Sequence, residues 1–254
     1  MSDAVDPVCW FHQPRRAGAR MRLYCFPHAG GGAAKLYAWS NELPALVEAL
    51  PAKLPGREER FREPPVDSLP ALIEAFAKAL PNDPDVPFAL LGHSMGALIA
   101  FELARTLRRR HAVAPVCLIA VACPAPQVLA ISEPIHKLPD DEFLRQLRAR
   151  YGGVPDAIAA NAELMALMLP ALRADFKAVE TYEYRDEPPL GCPIVALAGD
   201  EDREVSVADV SAWRQQTTAR FSLHIFPGGH FFLHESPRAT ARLVAKRLEG
   251  GVLE

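Results

Sequence analysis

The feature that most constrains the fold of this chain is the stretch GHSMG at residues 92–96. A short apolar run at residues 87–91 leads into it, and residues 97–104, which are rich in helix formers with apolar side chains at helical spacing, follow it. The sequence therefore predicts a buried strand that meets a helix through a turn of the form G-x-S-x-G. The flanking glycines are required because a Cβ would crowd such a corner. A glycine-rich turn capped by serine is the alternative interpretation.

The serine of this turn, Ser94, is a candidate nucleophile. At such a corner the hydroxyl stands clear of the sheet edge and lies at a helix N-terminus, where free N–H groups favour developing negative charge. A lone serine hydroxyl is a poor nucleophile, so it needs a base within about 3 Å, and that base needs an orienting acid. In folds with this turn the chain order is serine, acid, histidine.

His230 is the candidate base, because it follows the last predicted strand after two glycines. The candidate acid is an Asp within residues 199–202, just after the next-to-last predicted strand. All three positions lie beyond the carboxyl ends of predicted strands, where open α/β sheets place their sites. His234, one helical turn after His230, is the reserve base, with a surface position as its alternative. We expect a structural role for His93.

A second glycine-rich stretch, HAGGG at residues 28–32, follows the first predicted strand. Glycines let backbone N–H groups approach a ligand closely. In folds with the serine turn, a loop of this type supplies one N–H group that binds an oxyanion. A flexible turn that leads into a helix is the alternative interpretation.

The order of the predicted elements indicates an α/β fold with a mostly parallel sheet and helices on both faces. Strands are predicted at residues 21–26, 47–52, 87–91, 116–122, 193–198 and 221–226, and helices at 35–43, 69–80, 97–104, 207–215 and 237–248. The alternation lapses at about residues 127–186, where two helical patterns occur without a strand. We therefore expect one domain over residues 1–254, with a helical lid inserted over the sheet edge.

Composition excludes several other classes of protein. The formal net charge of −3 gives no support for nucleic-acid binding. Residues 1–20 lack the apolar segment of a signal peptide, and no apolar run is long enough to span a membrane, so we expect a cytoplasmic protein. The cysteines are odd in number and lack metal-binding spacing, so we expect reduced, packed thiols at Cys9, Cys25, Cys117, Cys123 and Cys192.

Five motifs together resemble those of the type II thioesterases of polyketide and nonribosomal peptide assembly lines. They are FPHAGG at residues 26–31, LPGR at 54–57, GHSMG at 92–96, G-x-x-D at 199–202 and F-x-GGHF at 226–231. The resemblance runs from about Trp10 to the last predicted helix and is weakest in the lid. The serine turn alone is shared with lipases and esterases, and the other motifs narrow the resemblance to this family.

The resemblance implies an α/β-hydrolase fold with a helical lid. It also implies hydrolysis of acyl thioesters from the phosphopantetheine arm of acyl or peptidyl carrier proteins, which removes aberrant acyl units from the assembly line. No metal or redox cofactor is expected, since the acyl group arrives on the arm of the partner protein. Small acyl thioesters are further expected substrates, and we expect a monomer.

The resemblance also assigns roles to individual residues. The acid maps onto Asp202, three residues after Gly199, with Asp200 as the nearby rival. The oxyanion-binding N–H groups map onto the backbone of Ala29 and Met95. The expected catalytic set is thus completed by Asp202 between the serine and the histidine in the chain.

Two other functions compete with the carrier-directed thioesterase. One is an esterase or acyl-CoA hydrolase that acts on free small molecules, and the other is a non-catalytic binding protein on the same scaffold, which the intact catalytic set disfavours. For an acidic carrier protein, we expect Arg57 and Arg60 to contribute to docking. The alternative for both arginines is an internal salt bridge with Glu58, Glu59 or Glu63.

Overall fold

Six parallel strands form one sheet in this protein. The computed structural model describes residues 10–11, 18–80, 86–130, 133–151 and 161–252. Its strands, in chain order, are β1 (Met21–Phe26), β2 (Val47–Pro51), β3 (Phe88–His93), β4 (Leu118–Val121), β5 (Ile194–Gly199) and β6 (Phe221–Phe226). The spatial order is β2-β1-β3-β4-β5-β6, and all five neighbouring pairs are parallel. The predicted α/β fold and its six strands are confirmed, with strand ends shifted by at most two residues.

Helices cover both faces of the sheet, which is why its central strands are continuous apolar runs. On one face lie α1 (Ala33–Ser40) and α8 (Pro237–Val252), joined by a hydrogen bond of 2.9 Å from Trp39 Nε1 to Thr240 Oγ1. On the other face lie α2 (Leu69–Ala79) and α3 (Met95–His111), whose apolar side chains form a core with the inner side of the sheet. Both faces of β1, β4 and β5 are thus removed from water, whereas the edge strand β6 stays partly exposed.

Among its described residues, the predicted lid region contains two helices, α4 (Asp140–Tyr151) and α5 (Ala162–Glu180), between β4 and β5. The described residues between these two strands form no further strand. The lid has a separate apolar cluster made of Ile135, Phe143, Leu147, Met165, Leu172 and Phe176. Both helices lie within residues 127–186, where the sequence predicted two helical patterns. The division of residues 1–254 into one domain with a lid at 127–186 stays a prediction.

The structure differs locally from the sequence-based expectation at several points. The helix predicted at residues 35–43 is α1, which begins and ends earlier, at Ala33 and Ser40. It begins earlier because the Glu58 carboxylate accepts hydrogen bonds from the N–H groups of Ala33 and Ala34. The helix predicted at 207–215 divides into α6 (Val207–Ser211) and a 3-10 turn (Ala212–Gln216). Two short elements were not predicted, a 3-10 turn (Glu58–Arg60) and α7 (Phe232–Glu235).

The described residues include four of the five cysteines. Cys25, Cys117, Cys123 and Cys192 are free and buried, and burial raises the pKa of the Cys192 thiol to about 11. Cys9 lies outside the described residues. Within the described part of the chain, no helix has both the length and the apolar character that crossing a bilayer requires.

The turn between β3 and α3 holds the two elements unusually close. A Cβ on Gly92 would lie 2.0 Å from the carbonyl oxygen of Gly96, and a Cβ on Gly96 would lie 2.1 Å from the carbonyl oxygen of Phe26 in β1. Both obstacles are backbone atoms, which have no side-chain freedom to move aside. The packing of α3 on the sheet therefore requires glycine at both positions.

We predict that Gly96→Ala destabilises the fold. Alanine favours a helix over glycine by about 1 kcal/mol, but the clash with β1 costs about 3 kcal/mol or more and decides the outcome. Gly191→Ala is the matched control, because a Cβ there would meet nothing within 4 Å. Urea unfolding should show a large loss of stability for Gly96→Ala and little change for Gly191→Ala. Equal stability of the two variants would contradict the close crossing.

Candidate active site

Four loops meet at the carboxyl edge of the sheet, because the strands that precede them are parallel. They carry residues 28–32 after β1, Ser94 after β3, residues 200–202 after β5 and His230 after β6. Ser94, His230 and the glycine loop line one cavity of about 370 Å³. The structure thus brings together the candidate serine, the candidate base and the glycine-rich loop.

Ser94 occupies the corner between β3 and α3 in a strained backbone conformation. Its φ is 54° and its ψ is −116°, which is rare for a residue with a Cβ. The Ser94 N–H donates to the carbonyl of Val121 at 2.8 Å, which ties the corner to the end of β4. Such strain persists only where the surrounding structure enforces it, and it is typical of functional residues.

His230 is oriented by Asp202. The Asp202 Oδ2 atom lies 2.8 Å from Nδ1 of His230, and both side chains are almost fully buried. The other oxygen, Oδ1, accepts hydrogen bonds from the N–H groups of Glu204 at 3.0 Å and Val205 at 3.2 Å. Because both carboxylate oxygens are engaged, the carboxylate is fixed and in turn fixes the imidazole ring.

Asp200, the rival acid, has a different position. Its side chain is exposed, and Oδ1 accepts a hydrogen bond of 3.0 Å from the N–H of Gly228. Its own N–H donates to the carbonyl of Phe226 at 3.0 Å. Asp200 therefore stabilises the turn that precedes His230, and Asp202 is the one of these two acids that contacts the imidazole.

The backbone N–H groups of Ala29 and Met95 are the candidates for binding an oxyanion. Among the described residues, neither the Ala29 nor the Met95 N–H donates a hydrogen bond. Met95 is the first residue of α3, where N–H groups lack helical partners. Ala29 lies in a turn closed by a hydrogen bond of 2.8 Å from the Gly31 N–H to the carbonyl of His28. Both donors are therefore available to a ligand at this edge of the sheet.

The docking role expected for Arg57 and Arg60 is wrong, since both guanidinium groups are engaged inside the protein. Arg60 forms a salt bridge of 2.6 Å with Glu63 and donates to the carbonyl of Lys53, which confirms the alternative for this residue. Arg57 forms a salt bridge of 2.6 Å with Asp175 of α5. No signal in the sequence pointed to Asp175, because the pair joins residues 118 positions apart.

Three further histidine rings lie behind the site. Single ring nitrogens of His28, His93 and His234 lie within 4.8 Å of one another. Burial is the main cause that lowers the pKa of each ring, and for His234 the value falls to about 4. His234 is therefore not the surface residue that the sequence allowed. His93 contacts the carbonyl of His230 through Nε2 at 2.8 Å, in the structural position expected for it.

The surroundings of this histidine cluster are cationic. The positive charges of Lys35 and Arg57 act on His28, and Lys35 acts on His234 as well. No carboxylate belongs to the cluster found among the described residues. These positive charges oppose the binding of a cation, and the expectation that the protein needs no metal stays a prediction.

The cavity next to the serine is apolar on the side of the lid. Its walls there include Leu129, Met168, Leu172, Phe176 and Val179, and Leu98 of α3 completes them. Apolar walls with a few convergent polar groups are typical of small-molecule sites. The arrangement can bury an apolar chain while a polar group lies against Ser94.

A serine on a strained strand-to-helix corner, with a buried Asp–His pair beyond later strands of a parallel sheet, defines a member of the α/β-hydrolase class. Residues 21–248 match the family model described as a thioesterase domain. The chain therefore belongs to the thioesterase family, and it is a thioester hydrolase.

Named relatives agree with this membership. The gramicidin S biosynthesis protein GrsT of Aneurinibacillus migulanus is 42% identical over 240 residues, which cover 94% of this chain and 93% of GrsT. The structure of RedJ, a thioesterase of the prodiginine pathway in Streptomyces coelicolor, is similar with a TM-score of 0.83 and 38% identity, covering 95% of this chain and 94% of RedJ. The structure of YbtT, described as a type II thioesterase from the yersiniabactin NRPS/PKS pathway, is similar with a TM-score of 0.82 and 34% identity. The match covers 94% of this chain and 97% of YbtT.

We predict that the stability of the protein falls below about pH 6.5, in part through His234. The unfolded ring titrates near pH 6.5, whereas the folded ring has a pKa of about 4. Between pH 6.5 and pH 4 the unfolded state takes up the proton and the folded state does not, so acidification favours unfolding. Above pH 6.5 the ring is neutral in both states and does not change the free energy of unfolding. His234→Asn should reduce the loss of unfolding free energy between pH 6 and pH 5 by about 1 kcal/mol.

Urea unfolding at both pH values measures this effect. His111→Asn is the control, because His111 is exposed at the end of α3. The same pH dependence in His234→Asn as in the wild type would contradict a buried neutral ring at position 234.

Proposed function

We propose that this protein is a type II thioesterase that removes acyl groups from the phosphopantetheine arm of carrier proteins in a polyketide or nonribosomal peptide assembly line. The observation that carries the proposal is the buried contact between His230 and Asp202 beside the cavity that Ser94 lines. Membership of the thioesterase family and the pathways printed for GrsT, RedJ and YbtT support the substrate class.

In the first half of the reaction, Ser94 is the nucleophile. His230 removes the proton of the Ser94 hydroxyl, and Oγ attacks the carbonyl carbon of the thioester. The oxyanion that forms accepts hydrogen bonds from the N–H groups of Ala29 and Met95, each worth about 3–4 kcal/mol in comparable sites. The C–S bond then breaks, and the leaving thiolate takes the proton from His230.

In the second half, water releases the acyl group. His230 removes a proton from water, whose oxygen attacks the acyl-serine carbonyl, and the same two N–H groups bind the second oxyanion. The ester bond breaks, Ser94 recovers its proton from His230, and the carboxylic acid leaves. Asp202 holds the ring so that Nε2 faces the serine. Its carboxylate also stabilises the imidazolium that forms in both halves of the reaction.

Carrier proteins are the proposed partners, and the cations at the cavity can favour their approach. Among the described residues, the cationic side chains that line the cavity are Lys35 and Arg150, and Lys35 is exposed. These two residues take the role that Arg57 and Arg60 cannot fill. A cytoplasmic location and a monomeric state stay predictions.

We predict that Asp202→Asn lowers kcat by about ten-thousand-fold, because the imidazole loses its counter-charge and its preferred tautomer. Asp200→Asn is the matched control, and its kcat should stay within about tenfold of the wild type, since Asp200 supports only the preceding turn. Hydrolysis of an acyl N-acetylcysteamine thioester, followed through the released thiol, measures both. A larger loss in Asp200→Asn than in Asp202→Asn would transfer the role to Asp200.

A second prediction concerns the carrier. The value of kcat/KM should be higher for an acyl-carrier protein than for the same acyl-CoA, and should fall as salt screens the encounter. Lys35→Ala should lower kcat/KM for the acyl-carrier about two- to fivefold, the effect of an exposed charge pair of up to about 1 kcal/mol. Lys246→Ala is the control, because Lys246 is exposed on α8.

Equal and salt-independent rates on both substrates would contradict the carrier as partner. They would leave an esterase or acyl-CoA hydrolase that acts on free small molecules.

A further inference from the structure

A buried ion pair connects the lid to the loop that carries Ala29. Asp175 of α5 is 1% exposed, and the Arg57 side chain is 11% exposed. The pair is bidentate, with Nη1 of Arg57 2.6 Å from Oδ2 and Nη2 2.8 Å from Oδ1. This fork geometry fixes both side chains relative to each other.

Both members of the pair also bind the backbone of the glycine loop. Oδ2 of Asp175 accepts a hydrogen bond of 2.7 Å from the Gly30 N–H, and Nη1 of Arg57 donates to the carbonyl of Gly31 at 3.0 Å. The loop is therefore held on two successive residues by one rigid ion pair. Glycines have no side chains with which to anchor themselves, so the loop depends on such outside contacts.

These contacts determine the direction of the Ala29 N–H. The Gly31 N–H donates to the carbonyl of His28, so the position of Gly31 orients the peptide unit between His28 and Ala29. That unit is planar and trans, so its N–H points opposite to its carbonyl and away from the turn. Holding Gly30 and Gly31 thus aims the donor of Ala29.

The same helix supports the loop a second time. Leu172 lies three residues before Asp175 in α5, on the same face of the helix. A Cβ on Gly30, where φ is +76°, would lie 2.3 Å from Cδ2 of Leu172. Helix α5 therefore touches the loop with one apolar and one charged side chain.

We propose that Asp175 is a positioning residue, which acts through Arg57 and the Gly30 N–H to hold the oxyanion loop in its working geometry and so couples that loop to the lid. The proposal rests on the proposed function, in which the Ala29 N–H binds the oxyanion. A buried ion pair adds little net stability compared with apolar packing, so stability alone does not account for this pair.

The test compares Asp175→Asn with the wild type on an acyl N-acetylcysteamine thioester, which needs no carrier. Loss of the carboxylate should lower kcat about 10- to 100-fold, below the effect of deleting an oxyanion donor, and change KM less than about threefold. Asp67→Asn is the matched control, since the exposed Asp67–Lys177 pair joins the same helix to the body without touching the glycine loop. Its kcat should equal that of the wild type.

A double variant separates positioning from stability. Arg57→Gln/Asp175→Asn leaves no unpaired buried charge, so its urea midpoint should return towards the wild type while kcat stays low. This variant also supplies the measurement if Asp175→Asn does not fold. Recovery of kcat together with stability would overturn the proposal, because Asp175 would then only stabilise the fold.

A boronic acid that forms a tetrahedral adduct with the serine gives an independent readout. Its inhibition constant should rise in Asp175→Asn in parallel with the loss of kcat, because one adduct oxygen needs the same N–H groups. An unchanged inhibition constant, or a wild-type kcat in Asp175→Asn, would overturn the proposal while the thioesterase function stands. A wild type that does not hydrolyse the thioester would instead overturn the proposed function.

Discussion

The close crossing of α3 over β1 and β3 is the constraint on which the whole site depends. Gly92 and Gly96 allow backbone to meet backbone there, and the chain between them turns so sharply that Ser94 takes a φ of 54°. This sharp turn places Ser94 at the carboxyl edge of the sheet and Met95 at the start of α3. Because the neighbouring strands are parallel, the loops after β1, β5 and β6 reach the same edge, and Asp202 and His230 meet there at 2.8 Å.

The glycine loop after β1 shows the opposite situation, because its own hydrogen bond, from the Gly31 N–H to the carbonyl of His28, does not anchor it to the rest of the protein. Its anchors come from two distant segments. Arg57 holds it from the turn after β2, where Glu58 also binds the N–H of Ala33 just beyond the loop, and Asp175 holds it from the lid. One helix, α5, therefore both lines the apolar side of the cavity and holds the loop. Under the proposed function, the lid covers the acyl chain and also supports the loop that binds the oxyanion.

The parallel sheet, the serine corner and the positions of Ser94 and His230 could be predicted because each depends on local pattern. The choice of Asp202 over Asp200 came from the resemblance to the family. Glycine spacing, apolar runs and chain order report on backbone geometry within a few residues. Arg57 was misjudged because its partner, Asp175, lies 118 residues away in an insertion without a motif. His234 was misjudged because its partial burial depends on packing against His28, which follows β1, and His93, which ends β3. Long-range pairing of charges and rings leaves no periodic signal in a single sequence.

Ser94 is the nucleophile of the proposed thioester hydrolysis, and covalent labelling tests this role directly. A fluorophosphonate reacts with a serine that a neighbouring base activates, and peptide mapping locates the label. We expect one phosphonyl group on Ser94, loss of thioester hydrolysis in proportion to labelling, and neither label nor hydrolysis in Ser94→Ala. A label on another residue, or hydrolysis that persists once Ser94 is fully labelled, would contradict the account.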